Sequence, residues 1–230
     1  MKHIAYIIIL VLAVLLRLPD KGIWIDEVHY YQYLEAYNED LVGGIIQTGG
    51  TEFLPVMISY ILGFDSIEQG MWLSFYFGVL MIIIIPMIFK DEKIWIPLMI
   101  IMTISPILWY WSQFARPYVI GAFFVVLAWR YPPFILLGVL CNPIAICGVN
   151  LTKKKWWLFY LVVIIGAVLF YKYQPLVGWS YRQHFSTDFL LTARRLYVIP
   201  YTVLLLYISS IPNDWLERLQ LYAKRLVGNT

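Results

Sequence analysis

Asp26 and Glu27 stand side by side in the segment GIWIDEVHYYQYLEAY. Two carboxylates among Trp, Ile and Tyr side chains suit proton chemistry. Apolar surroundings raise a carboxyl group's proton affinity and let it take a proton from a hydroxyl. The same pair also suits a helix start, where carboxylates favour the positive dipole end. A second string, SPILWYWSQFARPYVIG, holds Gln113, Arg116 and Tyr118. A guanidinium grips phosphate oxygens in a bidentate fork, and the Gln113 amide and Tyr118 phenol add neutral donors, which together make a phosphate clamp. The plainer reading is an aromatic belt with a snorkelling arginine. Further cations are Arg17, then Lys172 and Arg182 in KYQPLVGWSYRQHFSTD, then Arg194 and Arg195. Adjacent arginines near an apolar helix start are costly unless phosphate or acids compensate them. Arg182 and one of Arg194 or Arg195 are therefore candidate ligands of a departing anion, and the lone His184 reads as structural.

The elements that must position these residues are apolar. The chain is 61% hydrophobic and only 13% charged, against about 25% charged in a soluble domain. IAYIIILVLAVLL, MWLSFYFGVLMIIIIPMIF, IWIPLMIIMTISPILWYW and WWLFYLVVIIGAVLFY each approach the roughly 20 residues that cross a bilayer. The 10 Trp and 18 Tyr gather near the ends of these runs, where amphipathic rings favour the headgroup region. The pattern predicts an all-α fold, a polytopic membrane helical bundle with about eight membrane-inserted helices. They fall near 4–18, 69–89, 94–111, 117–130, 156–171 and 189–209, with two short helices in 133–151. All of 1–230 reads as a single transmembrane domain. Segment 19–68 is its first external loop, carrying amphipathic, interfacial helices at 27–37 and in FLPVMISYILGF, and 210–230 is a cytoplasmic amphipathic tail. Cys141 and Cys147 lie in one apolar stretch and read as small buried thiols.

Lys and Arg placement sets the expected orientation. With the N-terminus in the cytoplasm, 19–68 lies outside, and its acids far outnumber its one lysine, Lys21. Lys90, Lys93, Arg130, Lys224 and Arg225 fall inside. The lysines at 153–155 also fall inside if 133–151 enters and returns, with Asn142-Pro143 supplying the turn. The alternative takes 133–151 as one span and leaves those lysines outside. In the first arrangement both termini are cytoplasmic and the active site lies on the extracytoplasmic face of a multi-pass protein.

LLRLPDKGIWIDE resembles the opening of the GT-C glycosyltransferases, in the branch of protein O-mannosyltransferases and lipid A aminoarabinose transferases. In that branch an Arg ends the first helix and an Asp-Glu pair begins the first external loop. SPILWYWSQFARPY is similar to that branch's Tyr-Ser-Gln-Glu-Ala-Arg-x-Tyr segment, with Trp111 in place of its Tyr and Phe114 in place of its Glu. CNPIA sits where those proteins often carry a Thr-His-Pro turn. The likeness covers about residues 1–150, and the chain looks like the minimal helical module of the family. The resemblance implies transfer of a sugar from a polyprenyl-phosphate carrier to an acceptor hydroxyl, with inversion. By position, Asp26 would be the base, Glu27 its neighbour, and Arg17 and Arg116 would face the carrier phosphate. The acceptor could be a glycan, a lipid or a protein, with membrane lipids as surroundings.

No His, Asp or Glu group in the sequence has metal-ligand spacing, so no cofactor is expected, with a divalent metal left open. Cationic side chains can stabilise a leaving phosphate. There is no Gly-rich phosphate loop of the kind that holds nucleotides, and basic residues scattered at the ends of apolar runs do not form a nucleic-acid footprint. Two other classes fit the same residues: a transporter or flippase for an anionic lipid, built on the broken helix at 133–151, and a non-catalytic scaffold.

Overall fold

Capping residues and prolines punctuate the apolar runs, and the helices are short as a result. The structure, a computed structural model, describes residues 2–19, 25–48, 52–89, 91–150, 153–173 and 198–210. Over those residues the chain is all-α, with twelve α-helices. The first four are α1 (Lys2–Arg17), α2 (Ile25–Glu39), α3 (Leu41–Thr48) and α4 (Phe53–Ile61). The next, α5 (Ile67–Ile83), opens on a capping box. Ser66 Oγ accepts from Gln69 N–H at 3.4 Å, and the Gln69 amide oxygen accepts from Ser66 N–H at 3.3 Å. Then come α6 (Ile85–Ile88), α7 (Glu92–Ile104), α8 (Pro106–Trp111) and α9 (Pro117–Arg130). A 3-10 turn leads into α10 (Ile135–Cys141), and two more, Pro143–Gly148 and Lys154–Trp156, precede α11 (Trp157–Tyr173). The last described helix is α12 (Val198–Ser210).

This corrects the expected architecture of eight membrane-inserted helices. Among the described residues no helix is long and apolar enough to cross a membrane. The longest, α5 and α11, have 17 residues each, short of the roughly 20 that a hydrocarbon core takes. The expected run 69–89 divides at Ile84, just ahead of Pro86. The run 94–111 divides at Ser105, whose hydroxyl accepts from Leu108 N–H at 3.5 Å and starts a new helix with Pro106 at its first position. Asn142 does the same ahead of Pro143, accepting from Ile144 N–H at 3.0 Å. The polytopic membrane bundle, the multi-pass placement, the extracytoplasmic active site and the cytoplasmic termini all rested on uninterrupted spans, and they fall with them. Of the helix expected at 189–209, residues 189–197 lie outside the described residues. So does the tail after Ser210.

The core is built around α9. All its residues but Leu127 and Arg130 are buried, against α5, α10 and α12. Gly121 allows the close approach: a methyl there would meet Ile199 Cδ1 of α12 at 3.1 Å and Cys141 Cβ of α10 at 3.5 Å. The far end of α9 is tied down as well. Trp129 Nε1 donates to Ser210 Oγ at 3.1 Å, and Asn150 Nδ2 donates to the Trp129 carbonyl at 3.2 Å. Cys141 is buried here, whereas Cys147, expected to be buried, is exposed. A smaller cluster of Tyr30, Tyr33, Tyr37, Val56, Met71 and Ala115 joins α2, α4 and α5 beside the α8–α9 turn.

Candidate functional site

The turn 112–116 between α8 and α9 is fixed from four directions. Ser112 Oγ donates back to the Leu108 carbonyl at 2.6 Å, a local bond that closes α8. Gln113 Nε2 donates to the Leu16 carbonyl at 3.0 Å, near the end of α1. Ala115 N–H donates to Glu27 Oε1 at 2.7 Å, on the first turn of α2. Ser74 of α5 bridges Arg116: its hydroxyl donates to the Arg116 carbonyl at 3.2 Å and accepts from Arg116 N–H at 3.4 Å. Arg116 Nη1 then reaches Glu52 Oε1, at the head of α4, at 2.9 Å. Two glycines let α5 come this close. A methyl on Gly70 would sit 2.6 Å from Tyr30 Cε1 and 2.9 Å from Ala115 Cβ, and one on Gly78 would collide with Ser112 and lie 3.2 Å from Arg17 Cδ.

The two segments singled out from the sequence therefore meet. Glu27 and Ala115 are 88 positions apart and joined by one short hydrogen bond. Burial divides the charged members of the cluster. Arg17 and Glu27 are 0% exposed, while Arg116 and Glu52 keep 6% and 8%. Arg17 is spent on the backbone. Its Nη2 donates to the Met102 carbonyl at 2.7 Å, and its Nη1 donates to the Thr103 and Ala13 carbonyls at 3.3 and 3.4 Å. The Met102 and Thr103 carbonyls belong to the last turn of α7, where carbonyls have no intrahelical partners and favour a cation. Burial lowers the Arg17 guanidinium to about 10. The Arg17 Nε, Gln113 Oε1 and Thr103 Oγ1 atoms have no hydrogen-bond partner among the described residues.

Tyr118 lies beneath the cation, its ring centroid 5.9 Å from the Arg116 guanidinium carbon, and the Trp111 ring meets it edge-on at 5.0 Å. Phe114, where the resembling segment has a Glu, is buried against Tyr110 at 4.8 Å and Trp111 at 5.9 Å. Asp26 lies in the first turn of α2 and Lys172 in the last turn of α11. Their side chains lie outside the described structure, as do Arg182, Arg194 and Arg195 altogether.

Sequence reasoning missed Glu52, Ser74, Tyr30, Tyr33 and Ser59. The Tyr30 phenol hydrogen-bonds the Ser59 hydroxyl. Burial pushes Tyr30 up to about 12, the Ser59 bond opposes this, and the Glu52 charge adds to it. Tyr33 is raised by burial first, then by Glu52, with Arg116 opposing. Both phenols therefore feel the Glu52 charge, and Tyr33 feels Arg116 as well. Among the described residues no group of three or more His, Cys, Asp or Glu side chains gathers to hold a metal ion. Comparison with known proteins finds no matching family, no matching curated protein and no matching solved structure.

Proposed function

We propose that the chain is an inverting glycosyltransferase that takes a sugar from a polyprenyl-phosphate-linked donor and passes it to an acceptor hydroxyl. The observation that carries this reading is the junction of the two motif segments, Glu27 on Ala115 N–H, with the adjoining Arg116 at the less buried edge of the network. Asp26 takes the proton of the acceptor hydroxyl as that oxygen attacks the anomeric carbon from the face opposite the phosphate. The bond from the anomeric carbon to the phosphate oxygen breaks, and its electron pair leaves with the phosphate. Arg116 meets that growing charge with a planar fork, backed by the Tyr118 ring. Glu27 holds the turn in register, and Gln113 and Arg17 hold the ends of α1 and α7 to it. The residues address the phosphate ester and the acceptor proton, so the reading names neither the sugar nor the acceptor.

One observation favours a non-catalytic scaffold instead. Arg17 and Glu27, both motif residues, are fully buried and hydrogen-bonded to backbone groups. Sugar release from a polyprenyl-phosphate donor by the purified chain separates the two. Loss of a group that stabilises developing charge costs roughly 10²–10³-fold, so Arg116→Ala should fall by about that much. Arg116→Lys, which keeps the charge and loses the fork, should recover only part of it. Unchanged turnover in Arg116→Ala would remove the residue from the site, and absence of transfer by the wild-type chain would leave the scaffold.

A further inference from the structure

Glu52 is the N-cap residue of α4, yet its side chain makes no capping hydrogen bond there. Its carboxylate is turned instead onto Arg116 Nη1 at 2.9 Å. An N-cap carboxylate ordinarily accepts from the second or third helical N–H and meets the positive end of the helix dipole. In α4 the third position is Pro55, which has no N–H, so Leu54 N–H at the second position is the donor suited to capping. Besides its place on the Arg116 guanidinium, the Glu52 side chain therefore has a second seat to move to at the head of α4.

We propose that Glu52 is a gating carboxylate for Arg116, occupying the place of the donor's phosphate until an anionic phosphate ester displaces it to the α4 N-terminus. This rests on the reading of Arg116 as the donor-phosphate ligand. Depriving a nearly buried cation of an anion is costly, and the Glu52 carboxylate is an anion that Arg116 already holds. The exchange of one anion for another preserves that pairing. The displaced carboxylate keeps a hydrogen-bond donor at α4, and the exchange takes place where Glu52 is 8% and Arg116 6% exposed, against 0% for Arg17 and Glu27. The Glu52 charge raises Tyr30 and Tyr33 as well, so its departure relieves two phenols along with the guanidinium. A protein that must first vacate its own site binds with an affinity reduced by the competent fraction, so removal of the gate tightens binding.

The test is titration calorimetry with farnesyl phosphate as probe, and inorganic phosphate as the arm that asks whether the ester matters. Glu52→Gln removes the competing charge, and Glu52→Asp keeps the charge but caps α4 better and falls a methylene short of Arg116. Both should bind farnesyl phosphate about tenfold more tightly than the wild-type chain, as expected when a site about nine-tenths self-occupied is freed. Arg116→Gln should lose most of the binding. Wild-type affinity in Glu52→Asp, at an unchanged thermal midpoint, overturns the gate even if Glu52→Gln fails to fold. If Arg116→Gln still loses binding in that case, the donor-phosphate reading survives without the gate. No farnesyl phosphate binding by the wild-type chain or either Glu52 variant overturns both. Equal tightening toward inorganic phosphate supports a gate that recognises the phosphate group alone.

Discussion

Helices α9 and α11 are both apolar almost throughout, yet one is the centre of the core and the other is largely exposed. Along α9, residues 117–126 are buried without interruption. Along α11, Tyr160 and Val163 are buried, while Trp157, Leu158, Leu161, Val162, Ile164, Ile165 and Val168 are exposed. Composition does not separate the two. The difference lies in their neighbours among the described residues: α9 begins at the fixed turn 112–116 and is flanked by α5, α10 and α12, whereas α11 touches mainly the 3-10 segments before it. An apolar run reports that a helix can be buried, and only the tertiary contacts decide on which faces it is.

That comparison can be broken by matched substitutions. Ile120 in α9 is 1% exposed and Ile165 in α11 is 49% exposed. Ile120→Ala should destabilise by about 2–5 kcal/mol through lost burial and a cavity, while Ile165→Ala should stay within roughly 0.5 kcal/mol, both read by chemical denaturation. Equal losses would mean that the two helices share one environment. A glycine pair sharpens the contrast at smaller scale. Gly70→Ala drives a methyl to 2.6 Å from Tyr30 Cε1 and should cost about 1–3 kcal/mol. Gly166→Ala meets no atom within 4 Å and should add about 0.5–1 kcal/mol through helix propensity alone. A destabilising Gly166→Ala would show a hidden contact on α11.

The polar cluster should also show its burial in alkaline solution. Tyr30 titrates near 10.0 when unfolded and is raised to about 12 in the fold. Between those values the unfolded chain has lost the proton and the folded chain has kept it, so stability falls as pH rises. The Tyr30 contribution is complete below pH 10 and is lost as pH passes through about 12. Tyr30→Phe lacks this titration, so the wild-type stability curve should descend more steeply than the variant's across that window. Parallel curves would place the phenol in contact with water.

Much of the helix content was legible in the sequence, because unbroken apolar segments such as 117–130 and 157–173 are longer than ordinary strands. The lengths were misread. A hydropathy window sums across Ser105-Pro106 and Ile84 to Pro86, where a cap or a proline divides the run. Ser followed by Pro is itself a helix-start signal, so the break at 105 is written in the residues. The site was half legible. Asp26, Glu27, Gln113, Arg116 and Tyr118 have side chains whose chemistry is visible at once. Glu52 was one acid among many in 19–68, and its pairing with Arg116, 64 positions away, exists only in the fold. Arg17 illustrates the converse. Its charge was conspicuous, but the fold uses it on three carbonyls.

The central claim, that this cluster transfers a sugar instead of merely tying helices together, turns on Asp26. General-base catalysis is worth typically 10²–10⁴-fold. Asp26→Asn keeps the size of the side chain and removes the proton acceptor. Sugar transfer from a polyprenyl-phosphate donor should therefore drop by about 10²–10⁴-fold, with the thermal midpoint and farnesyl phosphate binding of the variant unchanged. Wild-type turnover in Asp26→Asn, with the fold and binding intact, would contradict the account and leave the Asp26-Glu27 pair as the opening turn of α2.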